Sequence, residues 1–281
     1  MLAAFGLTAG VAGATAKVPQ LIFPVVGTVT YTDDFGDARG QGGHEGNDLL
    51  STRKAPAVAV EAGKVGFWTT SARAGCMLYL YGASGTKYLY IHLNNDLTEK
   101  NDNRGTCRPG VSYAPGLKDG AKVGRGQLVG FVGDSGDADG LQPHLHFELH
   151  PNGGAAVSPY PYLQKATRLL FSAKPGSRFW LTLQGAVAAR PTGTLALKLA
   201  KLQVWPSKEI VTLRRKLVLG LDAEIEVELP RDVPSLQIRT TLAALKPGLP
   251  VTVYTPPAAA TLAAQRGDAS AITASRIMIG Q

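Results

Sequence analysis

The chain has 281 residues, a length that suggests one large domain or two smaller ones. Its 33 glycines and 18 prolines favour turn-rich β structure over a helical bundle. The net charge of +8 serves solubility or a preference for anionic surroundings such as wall polymers, but no nucleic-acid-binding motif is present, so we expect no nucleic-acid partner.

The N-terminal segment, residues 1–16, is apolar or small, lacks charged side chains, and ends in Ala14-Thr15-Ala16. This pattern is typical of the apolar region and cleavage site of a secretory signal peptide, although the usual basic start is missing. The alternative is a disordered leader rich in alanine and glycine. The segment is too short and too rich in glycine for a transmembrane helix. We therefore predict a secreted or periplasmic protein with no integral membrane span.

Short apolar segments separated by Gly, Asn and Asp turns follow, over residues 17–164. No amphipathic run of helical period longer than about ten residues interrupts them, which predicts a mainly β domain built on an antiparallel sheet. The predicted strands are residues 25–31, 57–60, 63–69, 77–81, 88–93, 128–132 and 145–149.

Three clusters contain four of the five histidines: His44 with Asp48, His92, and His144 with His146. Histidine is the commonest metal ligand, and its neutral imidazole suits zinc. A His and an Asp four residues apart, with a distant His-x-His, supply three metal ligands and leave one imidazole to spare. Three protein ligands plus an open position are typical of a catalytic zinc site. The pattern therefore predicts a zinc hydrolase.

The two histidines of the His-x-His pair point to one face if the last predicted strand forms, because side chains alternate along a strand. Leu145, Phe147 and Leu149 then point into the core. Two imidazoles on one face are costly without a shared task, because protonation brings like charges together. The alternative is two unrelated structural histidines.

For the middle cluster, alternation places Tyr88, Tyr90 and His92 on one face of a strand and the intervening apolar residues on the other. Alone, His92 is most simply a hydrogen-bonded edge histidine. With the other clusters present, we interpret it as part of the same site.

Two cysteines, Cys76 and Cys107, flank the segment that carries His92. In an oxidising compartment they are expected to pair, which would clamp that segment. The alternative is two unrelated buried thiols.

The chain changes character beyond about residue 164, where histidines, cysteines and paired catalytic-type residues give way to alternating, proline-bounded segments. Residues 223–229 alternate apolar side chains with glutamates, and residues 235–241 and 249–254 are further predicted strands. We predict a small β-sandwich-like accessory domain over residues 168–257 and an Ala-rich tail with a poorly ordered end over residues 258–281.

Residues 21–164 carry an ordered set of motifs. They are Phe23-Pro24-Val25 with Gly27, Phe35-Gly36-Asp37-x-Arg39, His44-x-Gly46-x-Asp48-Leu49, Glu61-Ala62-Gly63-Lys64-Val65, Tyr90-Ile91-His92-Leu93, Gly124 to Gly133, Pro143-His144-Leu145-His146-Phe147-Glu148, Pro151-Asn152-Gly153 and Pro159-Tyr160. With these motifs the chain resembles the lysostaphin-type zinc metallopeptidases, the LytM-like peptidoglycan endopeptidases. The C-terminal part carries no such resemblance.

The resemblance implies that His44, Asp48 and His146 bind one Zn²⁺ per chain, with water as the remaining ligand. It also implies that His144 and His92 are unligated catalytic imidazoles. The implied function is a secreted endopeptidase that hydrolyses peptide bonds in bacterial peptidoglycan through a zinc-activated water. Its partners would be stem or cross-bridge peptides, with anionic wall polymers as a further possibility, and we expect a monomer.

The loop before the His-x-His departs from the family pattern, because Asp134, Asp137 and Asp139 place acidic groups near the site. These groups belong either to a solvated loop or to a surface that recognises a substrate amine.

Two other functions remain open on the sequence. One is a non-catalytic relative that binds wall peptides or activates an amidase, and the other is a secreted protease on Gly-rich protein substrates. The C-terminal part would be a wall-binding, partner-binding or regulatory module, or a structural extension of the catalytic domain.

Overall fold

The computed structural model describes residues 17–40, 42–229 and 239–280, and the predicted signal peptide at 1–16 lies outside them. The predicted mainly β class is confirmed, since strands dominate both halves of the described chain. The two described α-helices are Tyr160–Lys165 (α1) and Leu262–Arg266 (α2), and neither is long and apolar enough to cross a membrane.

Residues 17–164, for which we use the name N-terminal domain, contain ten described strands and two short 3-10 helices, Gly136–Ala138 and Pro151–Gly153. The strands are β1 Ala38–Arg39, β2 Gly42–Gly43, β3 Asn47–Leu50, β4 Pro56–Val58, β5 Gly63–Ser71, β6 Gly75–Gly82, β7 Lys87–Leu93, β8 Lys122–Val123, β9 Leu128–Phe131 and β10 His144–His150. Six of them form one sheet in the order β3-β10-β7-β6-β5-β8, and every neighbouring pair is antiparallel.

One face of this sheet packs on the main core of the domain, where Leu78, Tyr88, Tyr90 and Phe147 are completely buried. The predicted strand at residues 25–31 is wrong in extent, because that segment makes only isolated bridges from Val25 and Thr30. Val25 bridges Ala57 of β4 and Thr30 bridges Leu50 of β3, so the segment does not pair along a single strand.

Strand β10 shows the alternation that the sequence predicted. Leu145, Phe147 and Leu149 have no exposed surface and lie in the core, so His144 and His146 occupy the opposite, open face of the sheet. This strand pairs with β3 on one side and β7 on the other, so its histidines lie one strand in from the β3 edge of the sheet.

Strand β7 departs from simple alternation at His92. Tyr88 and Tyr90 point into the core as a pair, but the pairing with β6 is irregular between Cys76 and Leu78. His92 has a positive φ of 60°, in the left-handed region that residues with a Cβ seldom adopt. The prediction that His92 shares a face with Tyr88 and Tyr90 is therefore wrong, since this bulge turns its ring to the open face.

The C-terminal part contains seven described strands and a 3-10 helix at Leu242–Ala244. The strands are β11 Arg178–Val187, β12 Thr194–Trp205, β13 Ile210–Glu228, β14 Arg239–Thr240, β15 Pro250–Tyr254, β16 Ala258–Ala259 and β17 Thr273–Ile279. The predicted strand at 235–241 is described only from residue 239, and the one at 249–254 matches β15.

Five of these strands close into a ring, because β12 pairs with both β11 and β13, and the circuit continues through β17 and β15 back to β11. The β13–β17 pair is parallel, and the other pairs of the ring are antiparallel. The C-terminal part is therefore a small closed barrel, and the prediction of a sandwich is wrong. Ring closure pairs the edges that a sandwich would leave open.

The segment 258–281 was expected to be a tail with a poorly ordered end. In its described part, 258–280, β17 instead lies between β15 and β13, and helix α2 precedes it. Strand β17 buries Ala274 and Ile277 in the barrel core, so this segment completes the barrel. We call the described residues 168–229 and 239–280 the C-terminal barrel.

The two parts of the chain share a hydrophobic cluster. Ile22, Val26 and Val58 of the N-terminal domain belong to the same buried cluster as the barrel core. Across the same boundary, the Gln265 side-chain amide donates to the carbonyl oxygen of Gly126 at 3.1 Å. The barrel therefore packs directly on the domain that carries the histidines.

Candidate metal centre

Three predicted ligands meet at the β3–β10 edge of the sheet. Asp48 on β3 lies directly opposite His146 on β10, and His44 comes from the loop just before β3. His44 Nε2 is 3.1 Å from Asp48 Oδ1 and 2.9 Å from His146 Nδ1, and the latter two atoms are 3.0 Å apart. These three side chains form a group that could hold a metal ion.

The outward-facing nitrogen of each imidazole has an acceptor. His44 Nδ1 donates to the backbone oxygen of Asp34 at 2.8 Å, and His146 Nε2 donates to Glu148 Oε1 at 3.1 Å. In the neutral rings the nitrogens that face each other across 2.9 Å are then unprotonated. Two facing lone pairs beside a carboxylate oxygen repel one another unless a cation lies between them, so the donor set fits Zn²⁺.

The pKa values of two of these side chains also fit a cation site. Burial by itself would raise the pKa of Asp48, but hydrogen bonds from His146 and His44 hold it well below its usual range. Burial would lower the pKa of His146, but hydrogen bonds to Asp48 and Glu148 raise it to about 9. The group therefore favours positive charge at its centre, and metal binding would release a proton from His146.

A buried chain of side chains, which the sequence analysis did not assign, supports His146 from behind. Glu148 Oε2 is 2.6 Å from His150 Nε2, and His150 Nδ1 donates to the Gly154 carbonyl at 2.8 Å. Both nitrogens of His150 face acceptors, and the hydrogen bond to Glu148 raises the pKa of His150. The missed signal was the same two-residue alternation, which continues from His144 and His146 to Glu148 and His150.

Arg39 belongs to the Phe35-Gly36-Asp37-x-Arg39 motif, for which the sequence alone predicts no role. Its Nη2 donates to Asp48 Oδ2 at 2.9 Å. That bond occupies the outer oxygen of the carboxylate and leaves Oδ1 directed at the two imidazoles. Arg39 therefore orients the candidate ligand.

Gly46 makes the close packing of this corner possible. A Cβ at this position would lie 2.5 Å from the carbonyl oxygen of Phe147 and 2.8 Å from His146 Nε2. Any larger residue would displace the His146 ring or the β10 backbone.

The two further predicted histidines lie beside the ligand group. His144 Nδ1 donates to the Gln142 carbonyl at 2.9 Å, which leaves Nε2 facing the site, 3.8 Å from Asp48 Oδ1. His92 Nδ1 donates to the Ser135 carbonyl at 2.8 Å, and its ring centroid is 5.0 Å from that of His144. Burial, followed by the proximity of His144, lowers the pKa of His92 to about 4. At neutral pH, His92 is thus an uncharged imidazole with a free Nε2.

The loops around His92 are tied to the sheet. A disulfide joins Cys76 on β6 to Cys107 in the 94–116 loop, so the predicted pairing is confirmed. The Ser135 hydroxyl donates to the carbonyl of Leu93 at 2.5 Å and accepts from the Cys76 amide at 2.9 Å. These links hold His92 in its left-handed conformation, which costs on the order of 1–3 kcal/mol.

The three aspartates of the 133–142 loop have different surroundings. Asp134 is completely buried in a bidentate pair with Arg53, at 2.6 and 2.7 Å, so it is unavailable for substrate. Asp139 accepts from the side chains of Asn101 and Asn103. Asp137 remains half-exposed, with Oδ1 3.7 Å from His92 Nε2. Of the three, Asp137 is therefore the one that borders the site.

Comparison with characterised sequences gives a partial match. The chain is 28% identical over 162 residues to an L-Ala–D-Glu endopeptidase from Bacillus subtilis (strain 168). This match covers 54% of the chain and 44% of that protein, so the chain spans less than half the length of this curated relative. No protein-family model matches the chain.

Solved structures show a similar partial overlap. A candidate LytM glycyl-glycine endopeptidase from Ruminococcus gnavus is 26% identical, with a TM-score of 0.40, over 52% of this chain and 59% of that one. The catalytic domain of lysostaphin from Staphylococcus simulans is 24% identical, with a TM-score of 0.38, over 48% of this chain and 92% of that one.

Proposed function

We propose that this chain, which is similar to the LytM-type peptidoglycan endopeptidases, is a zinc-dependent endopeptidase that hydrolyses peptide bonds in bacterial peptidoglycan. The observation that carries the proposal is the convergence of five side chains on the open face of one sheet. Three of them, His44, Asp48 and His146, place donor atoms 2.9–3.1 Å apart. The other two, His144 and His92, direct unprotonated Nε2 atoms at the same opening.

His44 Nε2, Asp48 Oδ1 and His146 Nδ1 would hold one zinc ion. When bound, the ion lowers the pKa of a coordinated water towards about 7 and polarises the scissile carbonyl. Arg39 and Glu148 keep the Asp48 carboxylate and the His146 ring in their ligating orientations. Such supporting contacts matter because ligand geometry sets both affinity and reactivity.

We assign the role of general base to His144, because its Nε2 is close to the ligand Asp48 and carries no proton in the neutral ring. The Gln142 carbonyl holds the Nδ1 proton and so stabilises the imidazolium that forms when His144 accepts a proton from the attacking water. His92 lies one ring farther along, with Asp137 beside its Nε2. When its Nε2 takes a proton from solvent, which the neighbouring Asp137 carboxylate favours, His92 donates a hydrogen bond to the developing oxyanion. His144 then passes the proton that it took from the water to the leaving amine.

We further propose that residues 17–164 are the catalytic domain, that the barrel is an accessory unit, and that the protein acts outside the cytoplasm as a monomer. The Cys76–Cys107 disulfide supports an oxidising compartment. The net charge of +8 suits an anionic wall environment. Stem or cross-bridge peptides are the proposed substrates.

The test is to incubate the purified protein with peptidoglycan, with and without a zinc chelator, and to identify the released fragments by mass spectrometry. We expect new peptide amine termini that disappear with the chelator and return when zinc is restored. A matched variant, His144→Ala, should keep its zinc but lose activity by about 10²–10⁴-fold. Intact peptidoglycan in the presence of stoichiometric zinc would refute the proposal, and turnover by His144→Ala would refute the role of His144.

A further inference from the structure

Three aromatic rings lie side by side on the open face of the sheet, away from the metal ligands. Trp68 on β5 pairs with Met77 on β6, and Tyr79 and Tyr81 follow along β6. The Trp68 and Tyr79 ring centroids are 6.1 Å apart with the rings nearly perpendicular, and those of Tyr79 and Tyr81 are 6.0 Å apart with the rings 24° from parallel. We call these three rings the aromatic platform.

The platform is open to solvent. Trp68 is 46% exposed and Tyr81 is 51% exposed, which is unusual for large aromatic side chains. Within the described parts of the chain, the indole N–H of Trp68 and the hydroxyls of Tyr79 and Tyr81 make no hydrogen bond to protein. The rings therefore offer both apolar faces and free polar edges.

The platform belongs to the same surface as the metal centre. His146 lies opposite Ile91 on β7, and Ile91 clusters with Met77 and Leu89 on the open face, with Tyr79 packed against them. Trp68, which pairs with Met77, lies three strands away from His146 in the same direction across the sheet. At about 4.8 Å per strand, the backbone of Trp68 is about 14 Å from that of His146.

A glycine leaves room for one ring of the platform. Gly66 is opposite Tyr79 on β5, and a Cβ at this position would lie 3.2 Å from Cε2 of Tyr81. The Tyr81 ring thus rests against the sheet over Gly66. The nearly parallel Tyr79 and Tyr81 rings therefore form a shallow surface, with the Trp68 ring edge-on beside Tyr79.

We propose that the aromatic platform is a carbohydrate subsite, on which the glycan strand of the substrate packs while its attached peptide lies at the metal centre. This inference rests on the proposed function. A pyranose ring has a face of C–H groups and a rim of hydroxyls, which matches exposed aromatic faces with free N–H and O–H groups at their edges. The separation of about 14 Å corresponds to about four residues of extended peptide, so one substrate can span both places.

A shallow, half-exposed platform suits a sugar better than an apolar peptide side chain. Apolar side chains bind in concave pockets that remove most of their surface from water. The rings of Trp68 and Tyr81 instead leave about half of their surface in solvent. Lys87, whose Nζ is 5.8 Å from the Tyr79 ring centroid, adds a hydrogen-bond donor beside the platform.

The experiment compares two substrates with the same peptide: a soluble muropeptide that keeps its glycan, and the free peptide without sugar. The variants are Trp68→Ala, Tyr81→Ala and the conservative Trp68→Phe, with Ile210→Ala as a control at a 53% exposed site on the barrel. Each alanine variant should lower kcat/KM on the glycan-bearing substrate about fivefold through KM, the loss expected for one ring contact. Cleavage of the free peptide should change less than twofold, and Trp68→Phe should retain most of the preference.

Equal activity of the variants and wild type on both substrates would overturn the subsite. Equal losses on both substrates would also overturn it, because the rings would then bind the peptide. If the wild-type protein cleaves neither substrate, the proposed function fails, and a separate measurement decides the platform. That measurement is calorimetric binding of an N-acetylglucosamine tetramer to the zinc-loaded protein, which Trp68→Ala should weaken and Ile210→Ala should not; no binding by the wild type overturns the inference.

Discussion

The six-stranded sheet of the N-terminal domain carries a row of polar side chains on one face, whereas the C-terminal barrel closes on itself around an apolar core. On the open face, the strand positions carry imidazoles and carboxylates that are held by hydrogen bonds and ion pairs. In the barrel, the corresponding inward positions are apolar, as with Leu183, Leu197 and Val253, which have no exposed surface. The same alternating strand pattern thus builds a reactive surface in one domain and a stable core in the other.

The two regions use their side chains for different tasks. The polar face includes a left-handed residue, His92, and facing imidazoles, which are features that oppose folding unless an ion or a ligand compensates them. The barrel contains no histidine and no cysteine. Changes in the barrel core should therefore affect stability, and changes behind the metal centre should affect chemistry.

The largest effect is expected from Leu183→Ala in the barrel core. Truncation of this fully buried side chain leaves a cavity and should lower the free energy of unfolding by about 2–5 kcal/mol. Urea denaturation would measure the loss, with Ile210→Ala as the exposed control. Zinc content and kcat below the unfolding transition should stay at wild-type values. A drop in kcat of the folded variant would contradict the proposal that the barrel core affects stability and not chemistry.

An intermediate effect is expected from Glu148→Gln, which removes the charge that orients His146. Loss of such a supporting carboxylate should weaken zinc binding by about 10–100-fold. Competition with a chromophoric chelator would measure the affinity. The matched control is Glu61→Gln, since Glu61 is also buried but bonds to Tyr88 and Ser84 at 2.7 Å, away from the metal centre. Equal loss in both variants would show that the effect is general.

The smallest effect concerns pH and the buried Glu209 of the C-terminal barrel. Burial raises the pKa of Glu209 to about 7, although hydrogen bonds from Ser172 oppose this. The folded protein therefore holds a proton that the unfolded chain has lost, and stability should fall as pH rises from about 4.5 through about 7. Glu209→Gln should remove this decline, stabilising the protein above pH 7 and leaving its stability unchanged below pH 4.5.

Thermal unfolding of wild type and Glu209→Gln at pH 4, 6 and 8 would check the sign. Parallel pH profiles of the two proteins would contradict the assignment to Glu209. The zinc affinity at pH 8 should be the same in both, because Glu209 touches no residue of the metal centre.

Much of the site could be predicted because its signals are local. The alternation of β10 places His144 and His146 on one face with no knowledge of the rest of the chain. The same alternation could have identified Glu148 and His150, which continue the row. Arg39 could not be assigned in this way, because its contact with Asp48 depends on how the 33–43 loop folds back.

The sequence by itself determined the predominance of strands, the faces of β10 and the residue types suited to zinc. These properties follow from side-chain periodicity and from the chemistry of individual residues, which are independent of distant contacts. Only the tertiary structure decided that His92 turns to the open face, that Asp134 forms an ion pair with Arg53, and that residues 258–280 complete the barrel. Each of these depends on a bulge, an ion pair or a strand pairing between distant segments. A local sequence pattern does not specify which distant segment makes the contact.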